Sequence, residues 1–159
     1  MIAPINIEAH AASTSLNRLA FTATVHCLLG CAIGEVLGLV IGTALGWATV
    51  PTISLAVVLA FLFGYAFTMI PLLRAGLAFG AVLKLALAAD TVSVLIMEIV
   101  DNAIMLTIPG AMDATLGDIG FWAALAFALL VAGAVALPIN RWLIARGRGH
   151  AVVHAHHGH

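Results

Sequence analysis

Four long apolar stretches confine this chain to one environment, the lipid bilayer. They cover residues 19–47, 53–73, 76–108 and 121–145, and each is long enough for the roughly 20 helical residues that cross a bilayer core. Apolar residues make up 64% of the chain and charged residues 8%, against about 25% charged residues in soluble domains. The sequence therefore predicts an integral membrane protein.

The apolar stretches are expected to form helices and not barrel strands. Strands of a membrane barrel alternate polar and apolar residues, and these stretches show no such alternation. Turn-forming residues separate them, with Pro51 after the first stretch, Gly76 after the second and Pro109 after the third. We expect an all-α membrane fold, namely a compact bundle of four transmembrane helices.

The arginines that flank these stretches lie on one side of the predicted bundle. They are Arg18, Arg74, Arg141, Arg146 and Arg148. The positive-inside rule places that side in the cytoplasm, so both termini are expected there and the location is the bacterial inner membrane. We predict a cytoplasmic N-terminal arm over residues 1–18, a transmembrane domain over residues 19–146 and a His-rich cytoplasmic tail over residues 147–159.

The first stretch has a glycine at every fourth position of one segment. These glycines are Gly30, Gly34, Gly38, Gly42 and Gly46. Such a row lets two helix backbones approach closely, either within the chain or between copies of it. Because the bundle has only four helices and the glycine row offers a close-packing surface, we expect a homo-oligomer of two or three copies.

Nucleic acid is excluded as a partner, since a net charge of −1 provides no basic surface.

Four possible metal ligands stack one helical turn apart beside the glycine row. They are His26, Cys27, Cys31 and Glu35. Thiolate favours Cu(I) or zinc, and imidazole and carboxylate also bind transition metals. The cysteines alone are more typical of apolar packing than of a metal site, and we expect them to be free thiols. The carboxylate of Glu35 costs about 2.5–3.5 kcal/mol to insert, which argues against a filler role.

The third stretch is unusually rich in polar residues. They include Lys84, Asp90, Glu98, Asp101 and Asn102. On a helical wheel Asp90, Met97 and Asp101 fall within about 40° of each other, with Glu98 and Met105 beside them. This stripe must face partner helices or water, because lipid does not solvate carboxylates.

Helical rise gives the expected heights of these groups in the bilayer. At about 1.5 Å per residue from the cytoplasmic side, Glu35 lies level with Asp90, and His26 lies level with Lys84. We therefore expect the first and third helices to form an internal polar column. Its role is either a site or path for a cation or proton, or helix association through polar contacts.

Four segments together resemble the bacterial membrane family known as domain of unknown function 4396. They cover residues 26–35, 90–102, 109–112 and 140–150. The resemblance extends over most of the chain, from about His26 to the tail. It implies a four-helix membrane protein and implies no particular activity.

The leading hypothesis is a membrane protein that binds and transports a soft transition-metal ion, Cu(I) ahead of zinc. The candidate metal ligands are His26, Cys27, Cys31, Glu35, Asp90, Met97, Glu98 and Asp101, and the tail histidines (His150, His154, His156, His157 and His159) would gather metal. The alternatives are a proton-coupled carrier or channel that uses the carboxylates, a membrane redox protein that holds a metal or haem, and a non-catalytic assembly subunit. The hypothesis favours a carrier over an enzyme.

Overall fold

The computed structural model of the chain describes residues 5–111 and 114–146. Four helices form this part of the chain: α1 (Ile5–Ala44), α2 (Thr49–Arg74), α3 (Phe79–Thr107) and α4 (Ile119–Ala145). They match the four apolar stretches, and the described residues contain no strand. The main difference is that α1 begins at Ile5, so most of the predicted arm continues the first helix. The predicted His-rich tail lies outside the described residues.

Three of the helices are individually long and apolar enough to cross a membrane. They are Ser15–Ala44 within α1, Thr49–Arg74 and Ile119–Ala145, with mean hydropathies of 2.0 to 2.3. Helix α3 is bent by 41° between its segments Phe79–Ala88 and Asp90–Thr107, and it qualifies when both segments are counted as one span. The chain is therefore an all-helical membrane protein with three to four candidate spans among the described residues.

Every helix exposes large apolar side chains on its outer face. Phe21 of α1, Val58 of α2, Ile99 of α3 and Leu130 of α4 are each more than half exposed. In water such a surface would drive aggregation, whereas lipid tails solvate it. The outer face of the bundle thus suits a bilayer.

Helices α1 and α2 pack very closely because the glycine row of α1 faces small residues of α2. The facing pairs are Gly30 with Gly64, Gly34 with Ala60, Gly38 with Ala56 and Gly42 with Thr52. A Cβ atom at Gly30 would lie only 2.7 Å from the Gly64 nitrogen. Four glycines of the row are therefore occupied within the chain, and they do not provide a free surface between copies.

The pairings also define two ends of the bundle. Helix α1 runs antiparallel to α2, so residues 45–48, 108–111 and 114–118 lie together at one end, the loop end. The start of α1, residues 75–78 and the end of α4 form the other end, the terminal end. Near the terminal end, the Asn140 side-chain nitrogen of α4 donates to the Thr24 hydroxyl of α1 at 2.9 Å.

Candidate functional site

Seven of the eight predicted ligands are buried inside the bundle, along the α1–α3 interface. Their exposed fractions are 2% for Cys27, 1% for Cys31, 8% for Glu35, 0% for Asp90 and Met97, and 3% for Glu98 and Asp101. We call these seven residues the polar column. The expectation that the polar faces of the first and third helices converge is confirmed.

The Cys27 thiol and the Asp90 carboxyl are in contact in the part of the column nearest the terminal end. Cys27 Sγ donates to Asp90 Oδ1 at 3.8 Å. The Thr68 hydroxyl of α2 also hydrogen-bonds the Asp90 carboxyl. A fully buried carboxyl thus has polar partners from two other helices, which offsets part of its desolvation cost.

The second thiol has a carboxyl of its own, about one turn farther toward the loop end. The Cys31 thiol lies beside the Glu98 carboxyl. Asn102, one turn along α3, donates its side-chain nitrogen to the Glu98 backbone oxygen at 2.9 Å and approaches Glu98 Oε2 at 3.5 Å. Each cysteine is therefore matched with a different acid of α3.

The soft donors of the column share one packing cluster. Cys27, Cys31 and Met97 are packed together with Ala60 of α2 and Val94 of α3. Both cysteines are free thiols, as expected. Two thiols and one thioether therefore lie in the same dry region between helices.

The part of the column nearest the loop end is a pair of carboxyls. The Glu35 side chain lies beside Asp101. Each carboxyl is the polar neighbour of the other, and no other group of the described residues hydrogen-bonds either oxygen of Glu35 or Oδ1 of Asp101. Both residues line a cavity of about 60 Å³. Two carboxylates cannot both remain charged and unsolvated this close together, so the pair requires a proton, a cation or water.

The predicted pairing of Glu35 with Asp90 is wrong. Asp90 contacts Cys27, whereas Glu35 lies beside Asp101, which is about three helical turns farther along α3. The prediction counted heights from Leu19 and Gly76 as if the two helices started level. Helix α1 in fact begins at Ile5, so the two helices do not start at the same level. The contacts of Cys27 with Asp90 and of Glu35 with Asp101 show their actual relative position.

Two predicted members of the column lie outside it. His26 and Lys84 are both exposed on the surface of their helices. His26 is adjacent in sequence to Cys27, but successive residues of a helix point about 100° apart, so it faces away from α3. The imidazole of His26 and the ammonium of Lys84 are therefore not part of the buried column.

The groups that contact the buried acids are neutral or acidic. In the described residues they are thiols, the Thr68 hydroxyl, the Asn102 amide and neighbouring carboxyls. Charged carboxylates without a basic partner are very costly at this depth. Carboxyls in such surroundings are more stable with a proton bound or with a cation beside them than as free carboxylates.

The eight predicted ligands do not form a single metal centre. Among residues 5–111 and 114–146, no three His, Cys, Asp or Glu side chains lie close enough together to hold one ion. The soft donors lie in the middle of the column and the Glu35–Asp101 pair lies toward the loop end. The predicted set is thus divided into separate parts.

Two residues near the column were not predicted as part of the site. Thr68 hydrogen-bonds Asp90, and Thr52 lines the cavity at Glu35. Both belong to a row of buried residues at every fourth position of α2. That periodicity is visible in the sequence, but it indicates only which face of α2 is buried.

The chain belongs to the family described as domain of unknown function DUF4396, whose sequence profile matches residues 16–149. This match confirms the resemblance that the sequence segments indicated. Comparison with curated proteins gave no match, and comparison with solved structures gave none either.

Proposed function

We propose that the protein is a membrane carrier that exchanges protons for a soft metal ion, Cu(I) ahead of zinc, at the polar column. The observation that supports this proposal is the matching of thiols with carboxyls: Cys27 donates to Asp90, and Cys31 lies beside Glu98. A thiol must lose its proton to bind a metal. A carboxyl lies beside each thiol, and it can receive the thiol proton once it has released its own, so that one proton leaves the column in exchange for the metal ion.

The donor set suits a soft monovalent ion. Cys27, Cys31 and Met97 pack in one cluster, and thiolate and thioether are the ligands that Cu(I) prefers. Thiolate also binds zinc, usually with four ligands in tetrahedral geometry. Two thiols and a thioether fit the sulfur ligands that Cu(I) prefers better than the four-ligand site of zinc. Cu(I) is therefore placed ahead of zinc.

Charge balance supports exchange over simple binding. The groups described beside the acids of the column are thiols, a hydroxyl, an amide and other carboxyls, and in such surroundings a carboxylate is stabilised by a proton or by a cation. An added Cu(I) would leave one excess positive charge in a dry interior unless a proton departs. The thiols and carboxyls of the column would in this way link the binding of Cu(I) to the release of a proton.

The remaining features of the proposal concern topology and assembly. We place four spans in the bacterial inner membrane with both termini in the cytoplasm, because the flanking arginines occupy that side. The histidines of residues 150–159 would gather metal there. Assembly of two or three copies remains part of the proposal, through a surface other than the glycine row, which α2 already covers.

The test is anaerobic Cu(I) titration of the purified protein against a competing chelator. Wild type is expected to bind Cu(I), and Cys27→Ala/Cys31→Ala is expected to lose that binding. Val82→Ala, a buried truncation in a different packing cluster, is the matched control and should bind as wild type does. Unchanged affinity in the double cysteine variant would contradict the proposal.

A proton carrier or channel that needs no metal is the second candidate. It is favoured by the Glu35–Asp101 pair, which lies beside a cavity and has no thiol of its own among the contacts described. In that case Cys27→Ala/Cys31→Ala would keep proton flux in proteoliposomes, whereas Asp101→Asn would abolish it. The metal exchange proposal expects the cysteine variant to lose Cu(I)-dependent proton flux.

A further inference from the structure

The cavity at the Glu35–Asp101 pair has room for solvent. Its volume of about 60 Å³ is enough for a small number of water molecules. Most of its lining is apolar, and its polar groups come from Glu35, Asp101, Asn102 and Thr52. These groups supply carboxyl, amide and hydroxyl oxygens, the donors that hydrated cations prefer.

Glu35 is the group in this cavity that most needs a ligand. Its side chain is only 8% exposed, and apart from the neighbouring Asp101 carboxyl its two oxygens have no hydrogen-bond partner in the described part of the molecule. A buried polar group of this kind is normally satisfied by protein, water or an ion. The cavity beside it provides the space for the last two.

The cavity adjoins a second hollow at the loop end. A second, larger hollow of about 310 Å³ lies between residues 45–49 and Thr115 at that end. Leu39 and Thr52 line both the hollow and the cavity. Leu39 and Thr52 therefore lie between the cavity at Glu35 and the hollow at the loop end.

The opposite part of the column is filled by packed side chains. Cys27 and Cys31 are almost completely buried. Closer to the terminal end, the buried hydrogen bond between Asn140 and Thr24 joins α4 to α1. Ala20 and Ile144 close the same region with apolar contacts.

We propose that this cavity is an access site at which a hydrated cation from the loop end first meets protein ligands, held by Glu35 and Asp101 and admitted past Thr52 and Leu39. The ion would shed water there before it reaches the thiols deeper in the column. The inference deepens the proposed function, because it specifies that the cation enters the bundle from the loop end. It rests on the carrier proposal, but its test requires neither transport nor metal.

The experiment measures how fast charged methanethiosulfonate reagents modify single introduced cysteines in detergent-purified protein. Thr52→Cys places the thiol at the access site, and Thr24→Cys is the same substitution in the closed part of α1. Val50→Cys, which replaces a side chain that is 74% exposed at the loop end, sets the intrinsic ratio of cationic to anionic reagent. Peptide mass spectrometry separates the introduced thiol from the buried Cys27 and Cys31.

The expected result is modification of Thr52→Cys and none of Thr24→Cys. Relative to Val50→Cys, the cationic reagent should be favoured at Thr52→Cys by roughly tenfold, because acids lining a cleft raise the local concentration of cations. Asp101→Asn should reduce that preference. Leu39→Cys, which lines the same two spaces, replaces Thr52→Cys if that variant does not fold.

Two results would overturn the inference. One is that Thr52→Cys and Leu39→Cys react no faster than Thr24→Cys, and the other is that they react without preference for the cationic reagent. Neither result bears on Cu(I) binding at the thiols, so failure here is distinguishable from failure of the carrier proposal. Loss of Cu(I) binding with normal modification would conversely leave the access site standing.

Discussion

The Cys27 thiol of α1 donates to the Asp90 carboxyl of α3, with 3.8 Å between Sγ and Oδ1. This contact sets the relative position of the two helices, because the remaining column residues of α1 then face successive acids of α3. A hydrogen bond of this kind is worth little as helix glue, on average about 0.6 kcal/mol between membrane helices. The burial of a carboxyl to make it indicates a role beyond stability.

Asp90→Asn is expected to leave stability unchanged or to raise it by about 1 kcal/mol, because an amide keeps both hydrogen bonds and costs less to bury than a carboxylate. Thermal unfolding in detergent measures the change, and Cu(I)-linked proton release should fall in the same variant. Asp118→Asn, at the N-cap of α4, is the matched control, since Asn caps helices as well as Asp. A large loss of stability in Asp90→Asn would instead make Asp90 a structural residue.

Gly34→Ala is expected to destabilise the fold by about 1–3 kcal/mol, because its new Cβ would overlap the backbone of Ala60. Gly80→Ala is the control, since no atom lies within 4 Å of the Cβ position there, and it should be neutral or stabilising. Thermal unfolding of the two variants makes the comparison. Equal effects at the two positions would show that α1 and α2 are not in close contact.

Met97→Leu is expected to weaken Cu(I) binding by roughly tenfold or more, because even groups that only support a metal ligand contribute about 10- to 100-fold to affinity. Stability should change little. The substitution keeps the volume and removes the thioether. Met69→Leu in α2 is the control, because Met69 packs against Leu72 and Val82 and not against the cysteines. Chelator competition compares the two, and equal affinities would exclude Met97 as a ligand.

Thr24→Val is expected to destabilise the contact between α1 and α4, because Asn140 would lose its buried acceptor. A double-mutant cycle with Asn140→Ala should give a coupling of about 0.6–1.7 kcal/mol, the range for hydrogen bonds between membrane helices. Unfolding free energies in mixed detergent supply the four values. Additive effects would mean that the bond contributes nothing.

Most of the fold follows from the sequence because bilayer thickness fixes the length of apolar helices. The four helices agree with the predicted stretches, and the buried stripe of α3 agrees with its helical wheel. The inward direction of Asp90 and Asp101 was predictable for a physical reason, since lipid offers no solvation to carboxylates.

The partners across helices did not follow from the sequence. Heights along two helices can be compared only if their starting levels are known, and the early start of α1 at Ile5 shifted the comparison. The assignment of Glu35 to Asp90 was therefore wrong, and His26 proved to be exposed. The sequence also does not show whether the glycine row around Gly34 packs against α2 or against a second copy of the chain, because both offer small residues.

The most direct test of metal and proton exchange is the number of protons released when Cu(I) binds to the purified protein. Anaerobic calorimetry in two buffers of different ionisation enthalpy measures that number at fixed pH. The charge balance of the column requires release of about one proton for each Cu(I) ion bound. Binding without proton release, or no binding of Cu(I) at all, would contradict the proposed function.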